Sequence, residues 1–119
     1  MIERSCSKRD SEQLQAIVRH CEDIRYFIEL YGSDEESFHE NKSLQYGCVF
    51  PLLQIGEHVK RISAELKDEH SEVDWKSIAG MRDFMAHNYM NIDISKVRDT
   101  ILNRIPSLRE KCRSILGDV

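Results

Sequence analysis

Apolar residues recur every three or four positions along most of this chain, the spacing of one buried face on an α-helix. Leu14, Ile17, Val18, Cys21, Ile24, Ile28 and Tyr31 form the first stripe, which Gly32 and Ser33 end. A second stripe, through Val49, Leu52, Ile55, Val59, Ile62 and Leu66, predicts a helix over about residues 43–68. Pro51 falls inside it. Proline removes a helical donor and crowds the preceding turn, so a kink or a fresh start is expected between Gly47 and Pro51. The intervening SDEESFHENK is acidic and polar, and reads as a loop or a loose helical turn with His39 in solvent.

Asp74 suits the N-cap of a third helix, its carboxylate accepting backbone N–H bonds just ahead of Trp75, the natural packing anchor. Asn88 or Asn91 would end that helix. Asn91 or Asp93 then starts a fourth, in which Ile94, Val97, Ile101, Ile105, Leu108, Cys112 and Ile115 share a face and Pro106 marks a bend. Strand-like alternation is scarce, and there is no internal repeat. The expected architecture is an all-α antiparallel bundle of four to five helices, one domain over residues 1–119. Gly56 lies inside the second helix, where glycine costs ~1 kcal/mol relative to alanine; a close helix–helix approach would explain it. Glu57 beside it either pairs with a basic group such as Arg82 or is solvated.

Composition narrows the class of protein. Of 119 residues, 40% are apolar and 32% charged, as in a soluble globular chain. No apolar run nears the ~20 residues that span a bilayer, and MIERSCSKRD lacks the apolar core of a signal peptide, so a cytosolic location is expected. Cys6, Cys21, Cys48 and Cys112 are scattered without a CxxC pair, which favours reduced thiols over disulfides or a zinc site. The last three fit apolar faces. A net charge of −4 argues against a protein wrapped in nucleic acid, but the average hides an asymmetry. Residues 1–74 carry 9 basic and 16 acidic side chains, whereas residues 75–119 carry 8 and 5. Most of the eight basic residues in the second part are expected to line solvated faces, with some available to phosphates.

The basic part contains RDFMAHNY, residues 82–89, where chemistry concentrates. Arg82 can hold a phosphodiester through paired N–H donors, His87 can move a proton near neutral pH, and Tyr89 offers a phenol that can receive a phosphate-linked group. Asp83 lies one turn from His87 and can orient its imidazole, and Asn88 can donate a hydrogen bond to phosphate. His20, His58 and His70 have no comparable partners and read as surface or boundary residues.

Arg, four residues, His, one residue and Tyr resembles the signature of the HEPN superfamily, and within it the HepT-like toxins of toxin–antitoxin pairs. FPLLQIGEHVKRIS, DWKSIAGMRDF and NIDISKVRDTILNRIPSL resemble the same family in order and spacing, so the likeness covers about the last two-thirds of the chain. The resemblance implies a helical bundle and a metal-independent endoribonuclease with Arg82 and His87 as its catalytic pair. It also implies a partner, a minimal nucleotidyltransferase antitoxin able to transfer AMP to Tyr89. No cofactor is implied, and no metal-binding motif is evident.

A helix turns about 100° per residue, which sets Arg82 and His87 about 140° apart. One ideal helix therefore does not assemble them. Either it loosens near Ala86 to Asn88, or a second copy of the chain contributes; the resemblance implies the latter, a homodimer whose two motifs meet in a cleft. The competing expectation is a non-catalytic dimeric scaffold that uses the same cleft for a nucleotide or a protein.

Overall fold

A computed structural model describes residues 6–87 and 91–117, and over them the chain is all-α. Helix α1, Lys8–Tyr31, and helix α3, Lys42–Arg61, form the central antiparallel pair. Ser7 caps α1 by accepting from Asp10 N, and Gly32 ends it at φ 94°, a left-handed value that suits glycine. Leu14, Ile17, Cys21 and Ile24 of α1 meet Cys48, Leu52, Ile55 and Val59 in the core. A Cβ on Gly47 would lie 2.5 Å from the Phe27 ring, so this glycine lets α1 and α3 approach closely.

The second predicted helix differs at both suspected and unsuspected places. No fresh start occurs at Pro51: α3 runs through it, with Pro51 buried inside the helix. The carbonyl left without a helical donor is that of Gly47, four residues earlier. The break comes instead at Ile62 and Ser63, both extended, before helix α4, Ala64–Glu69. Ser63 caps α4, and its N–H and hydroxyl donate to the buried Asp10 carboxylate at 2.9 and 2.6 Å. The start of α1 is thereby bonded to the α3–α4 corner.

The acidic segment after α1 is a helix, α2, Glu35–Glu40, capped by Asp34. It is amphipathic at short range, since His39 is exposed while Phe38 is completely buried and joins the core. Helix α5, Trp75–His87, packs on α3. The fourth predicted helix is two: α6, Ile94–Asn103, capped by Asp93, and α7, Ile105–Leu116, with Pro106 in its first turn. Proline is tolerated there because first-turn N–H groups have no helical acceptor. Helix α7 lies against α1 and α6 against α2, which closes the bundle. No described helix is long and apolar enough to cross a membrane.

Three cysteines sit in this core, and burial pushes the thiols of Cys21, Cys48 and Cys112 up to about 12, well out of the reactive range.

Candidate functional site

Helix α5 carries the motif and is fixed at its start. Asp74 Oδ1 accepts from Ser77 N at 3.2 Å, as an N-cap should. The buried Trp75 donates its indole N–H to the His70 carbonyl at 3.0 Å, pinning the preceding turn. Ile78 and Met85 turn the same helix into the core.

Arg82 leaves that core at the α3–α5 crossing. An added Cβ on Gly56 would lie 2.1 Å from Arg82 Cβ and 2.8 Å from its Cγ, so glycine leaves room for the arginine stem. The guanidinium is held on two sides. Nε is 3.1 Å from Glu57 Oε1, and Nη1 is 3.3 Å from Asp83 Oδ1. Lys60 Nζ reaches the same Asp83 oxygen at 2.8 Å, and Arg61 Nη2 lies 3.5 Å from Glu57 Oε2. The result is a half-exposed row of three cations and two carboxylates across α3 and α5. Of the two options for Glu57, pairing with Arg82 is the one realised.

The Lys60 hydrogen bond, ahead of the Arg82 one, holds the Asp83 carboxyl below its usual range. Within one chain Asp83 Oδ1 therefore serves Lys60 and Arg82. His87 lies in the last turn of α5 and is exposed. Arg82 and His87 leave the helix on different sides, Arg82 toward α3 and His87 toward solvent. Asn88 and Tyr89 lie outside the described residues.

Sequence reasoning named neither Lys60 nor Arg61 as a neighbour of the motif. The signal was present, since Glu57, Lys60 and Arg61 follow the i, i+3, i+4 spacing of one helix face. Several basic residues of the second part serve the fold: Arg98 donates to the Ser33 carbonyl, Arg109 pairs with Glu22, and Lys111 donates to the Glu72 carbonyl. On the other side of α5, Lys96 Nζ lies 5.4 Å from the centroid of Phe84, and the Arg104 guanidinium donates to the Ser77 hydroxyl.

A second titratable cluster joins α1 to α3. His20 and His58 stack with centroids 5.7 Å apart, and His58 Nδ1 is 2.7 Å from Gln13 Oε1. Burial lowers both imidazoles below their usual value, and for His58 proximity to His20 adds to it. They are boundary residues, as expected, but they are neighbours, which their separation in sequence hides.

The family profile described as ribonuclease HepT-like matches residues 11–115. The chain belongs to the HepT-like ribonuclease family. Among similar proteins, one from Caldanaerobacter subterraneus subsp. tengcongensis named as a candidate RNase is 38% identical over 104 residues, covering 87% of this chain and 90% of its own. One from Methanocaldococcus jannaschii, also named as a candidate RNase, is 32% identical over 113 residues, 94% and 92% of the two chains. A Thermococcus cleftensis protein named "Probable ribonuclease HepT" is 34% identical over 97 residues, 77% and 88% of the two. No solved structure matches. The HepT-like match spans α1 to α7, so it takes in the ion row on α3 and α5 as well as the motif.

Proposed function

We propose that this chain is the toxin of a toxin–antitoxin pair, a metal-independent endoribonuclease that uses Arg82 and His87 on a homodimer. The observation that carries this reading is Arg82 held at the Gly56 crossing by Glu57 and Asp83 while His87 stands exposed at the end of the same helix, in a HepT-like chain. Two such helices, brought together across a twofold axis, supply a cation for the phosphate and an imidazole for the protons.

RNA cleavage without a metal needs three things. The 2′-OH must lose a proton as its oxygen bonds to the adjacent phosphorus, the departing 5′-oxygen must gain one, and the phosphorane must have its charge stabilised. His87 accepts the first proton, and a protonated imidazole donates the second. Arg82 keeps Nε on Glu57 and turns its Nη donors from Asp83 to the phosphorane, two of whose oxygens match the paired N–H groups of a guanidinium. The products are a 2′,3′-cyclic phosphate and a 5′-hydroxyl. Asn88 would add a hydrogen bond to phosphate.

Tyr89 is the proposed site of control. A cognate nucleotidyltransferase antitoxin would attach AMP to its hydroxyl, placing a phosphodiester anion two residues from His87 and repelling RNA.

The pairing of Arg82 with two carboxylates favours a second reading. A cation already neutralised suits a scaffold that binds a partner without cleaving it. Cleavage of purified tRNA and total RNA in EDTA by wild type and by His87→Ala separates the two. The ribonuclease reading expects wild type alone to cut and to leave cyclic phosphate ends; no cutting by unmodified wild type would leave the scaffold.

A further inference from the structure

The face of α5 opposite Arg82 borders a cavity of about 310 Å³ between α5 and α6. Its floor is apolar, with Met81, Met85 and Val97, and its rim carries Phe84, Lys96 and Arg104. Phe84 is 52% exposed, unusual for a phenylalanine, and follows Asp83 three residues before His87, on the neighbouring strip of the helix.

We infer that this cavity is the base-binding subsite of the proposed ribonuclease, taking one unpaired nucleotide of single-stranded RNA next to the cleaved bond. The inference rests on the ribonuclease reading and deepens it. A single-stranded base needs an aromatic face to stack on and a cation for its phosphate, and both stand together here. Lys96 already lies over the Phe84 ring, where a cation is attracted to the π-face. The base takes the place of that ammonium over the ring, and the ammonium moves onto the phosphate.

Two acids share the rim with the cations, each with a hydrogen-bond role in α6. Asp93 Oδ1 accepts from the backbone N–H groups of Ser95 and Lys96 as the cap of α6, and Asp99 Oδ1 accepts from Asn103 at 2.6 Å. Arg104 is engaged with the Ser77 hydroxyl, and Lys96 is the cation beside the Phe84 ring. The volume lies at the lower end of the range for small-molecule sites, enough for one nucleotide and too small for a duplex. Stacking is tolerant of base identity, so a modest preference is expected rather than a strict sequence.

The test uses Phe84→Ala, Phe84→Trp and Lys96→Gln in the full chain. Each is assayed for cleavage of a short single-stranded RNA, and each is combined with His87→Ala for binding of the same RNA by fluorescence anisotropy. Phe84→Ala is expected to weaken binding and raise KM about tenfold with kcat little changed, Phe84→Trp to restore both, and Lys96→Gln to flatten the salt dependence. Thermal melting confirms that the exposed position leaves the fold intact. Cleavage that needs His87 but not Phe84 would overturn the subsite and leave the ribonuclease reading standing. Phe84-dependent binding without cleavage would keep the subsite and overturn the ribonuclease. Neither binding nor cleavage by unmodified protein would overturn both.

Discussion

Gly56 and Arg82 occupy one space: a Cβ on the glycine would lie 2.1 Å from the Cβ of the arginine, far inside van der Waals contact. The nearest atoms are Arg82 Cβ and Cγ, close to the backbone, so they cannot swing clear as a side-chain tip would. Gly56→Ala should therefore destabilise the bundle by ~1–3 kcal/mol through overpacking, outweighing the ~1 kcal/mol that alanine gains in a helix. Urea unfolding measures it. A neutral or stabilising result would mean that α3 and α5 are not this close.

Glu57 holds Arg82 from the neighbouring turn of α3. Glu57→Ala should lower stability by under ~1 kcal/mol, because both partners are about one-third exposed and screened by solvent. Activity should fall by about tenfold or more, since an untethered guanidinium must be ordered in each turnover. The contrast between the two measurements is the check. Equal activity with wild type would show that Arg82 needs no support from α3.

The stacked imidazoles predict a pH dependence. His20 and His58 have folded-state values below the usual 6.5, mainly through burial, so the unfolded chain binds more protons in acid. Stability is fully present above pH 6.5 and is lost as pH falls from there through the lowered values. Melting temperature against pH should show this loss, and His58→Gln should reduce its slope. An unchanged slope would remove the pair as its source.

Thiol chemistry tests the core. Cys21, Cys48 and Cys112 are buried with thiols raised to about 12, whereas Cys6 is partly exposed. An aromatic disulfide reagent at neutral pH should react rapidly with Cys6 alone, and with all four cysteines only after unfolding. Rapid reaction of a second thiol in the native protein would place one of the three outside the core.

Apolar stripes made α1 and the α6–α7 face legible, and Asp74 ahead of Trp75 did the same for the start of α5. Legibility ends where two signals overlap. Ile62 and Leu66 keep helical spacing across a real break, and that spacing concealed the N-cap at Ser63, whose buried partner Asp10 is 53 residues away. Phe38 was hidden by the acidic residues around it, since a six-residue helix offers too short a window for periodicity. At the site, Gly56 and Glu57 announced the contact with α5, because a glycine inside a helix needs a reason. The pairing of Asp83 with Lys60 could not be read from α5 alone, because Lys60 arrives from α3.

In the proposed enzyme Arg82 and His87, turned to different sides of one helix, meet through a second copy of the chain. Co-expression of Arg82→Ala with His87→Ala, followed by an RNA cleavage assay in EDTA, tests this most directly. Each variant alone should be inactive, and the mixed dimer should regain part of the wild-type activity by joining the arginine of one protomer to the histidine of its partner. Mixed dimers that form but stay inactive would contradict the shared site.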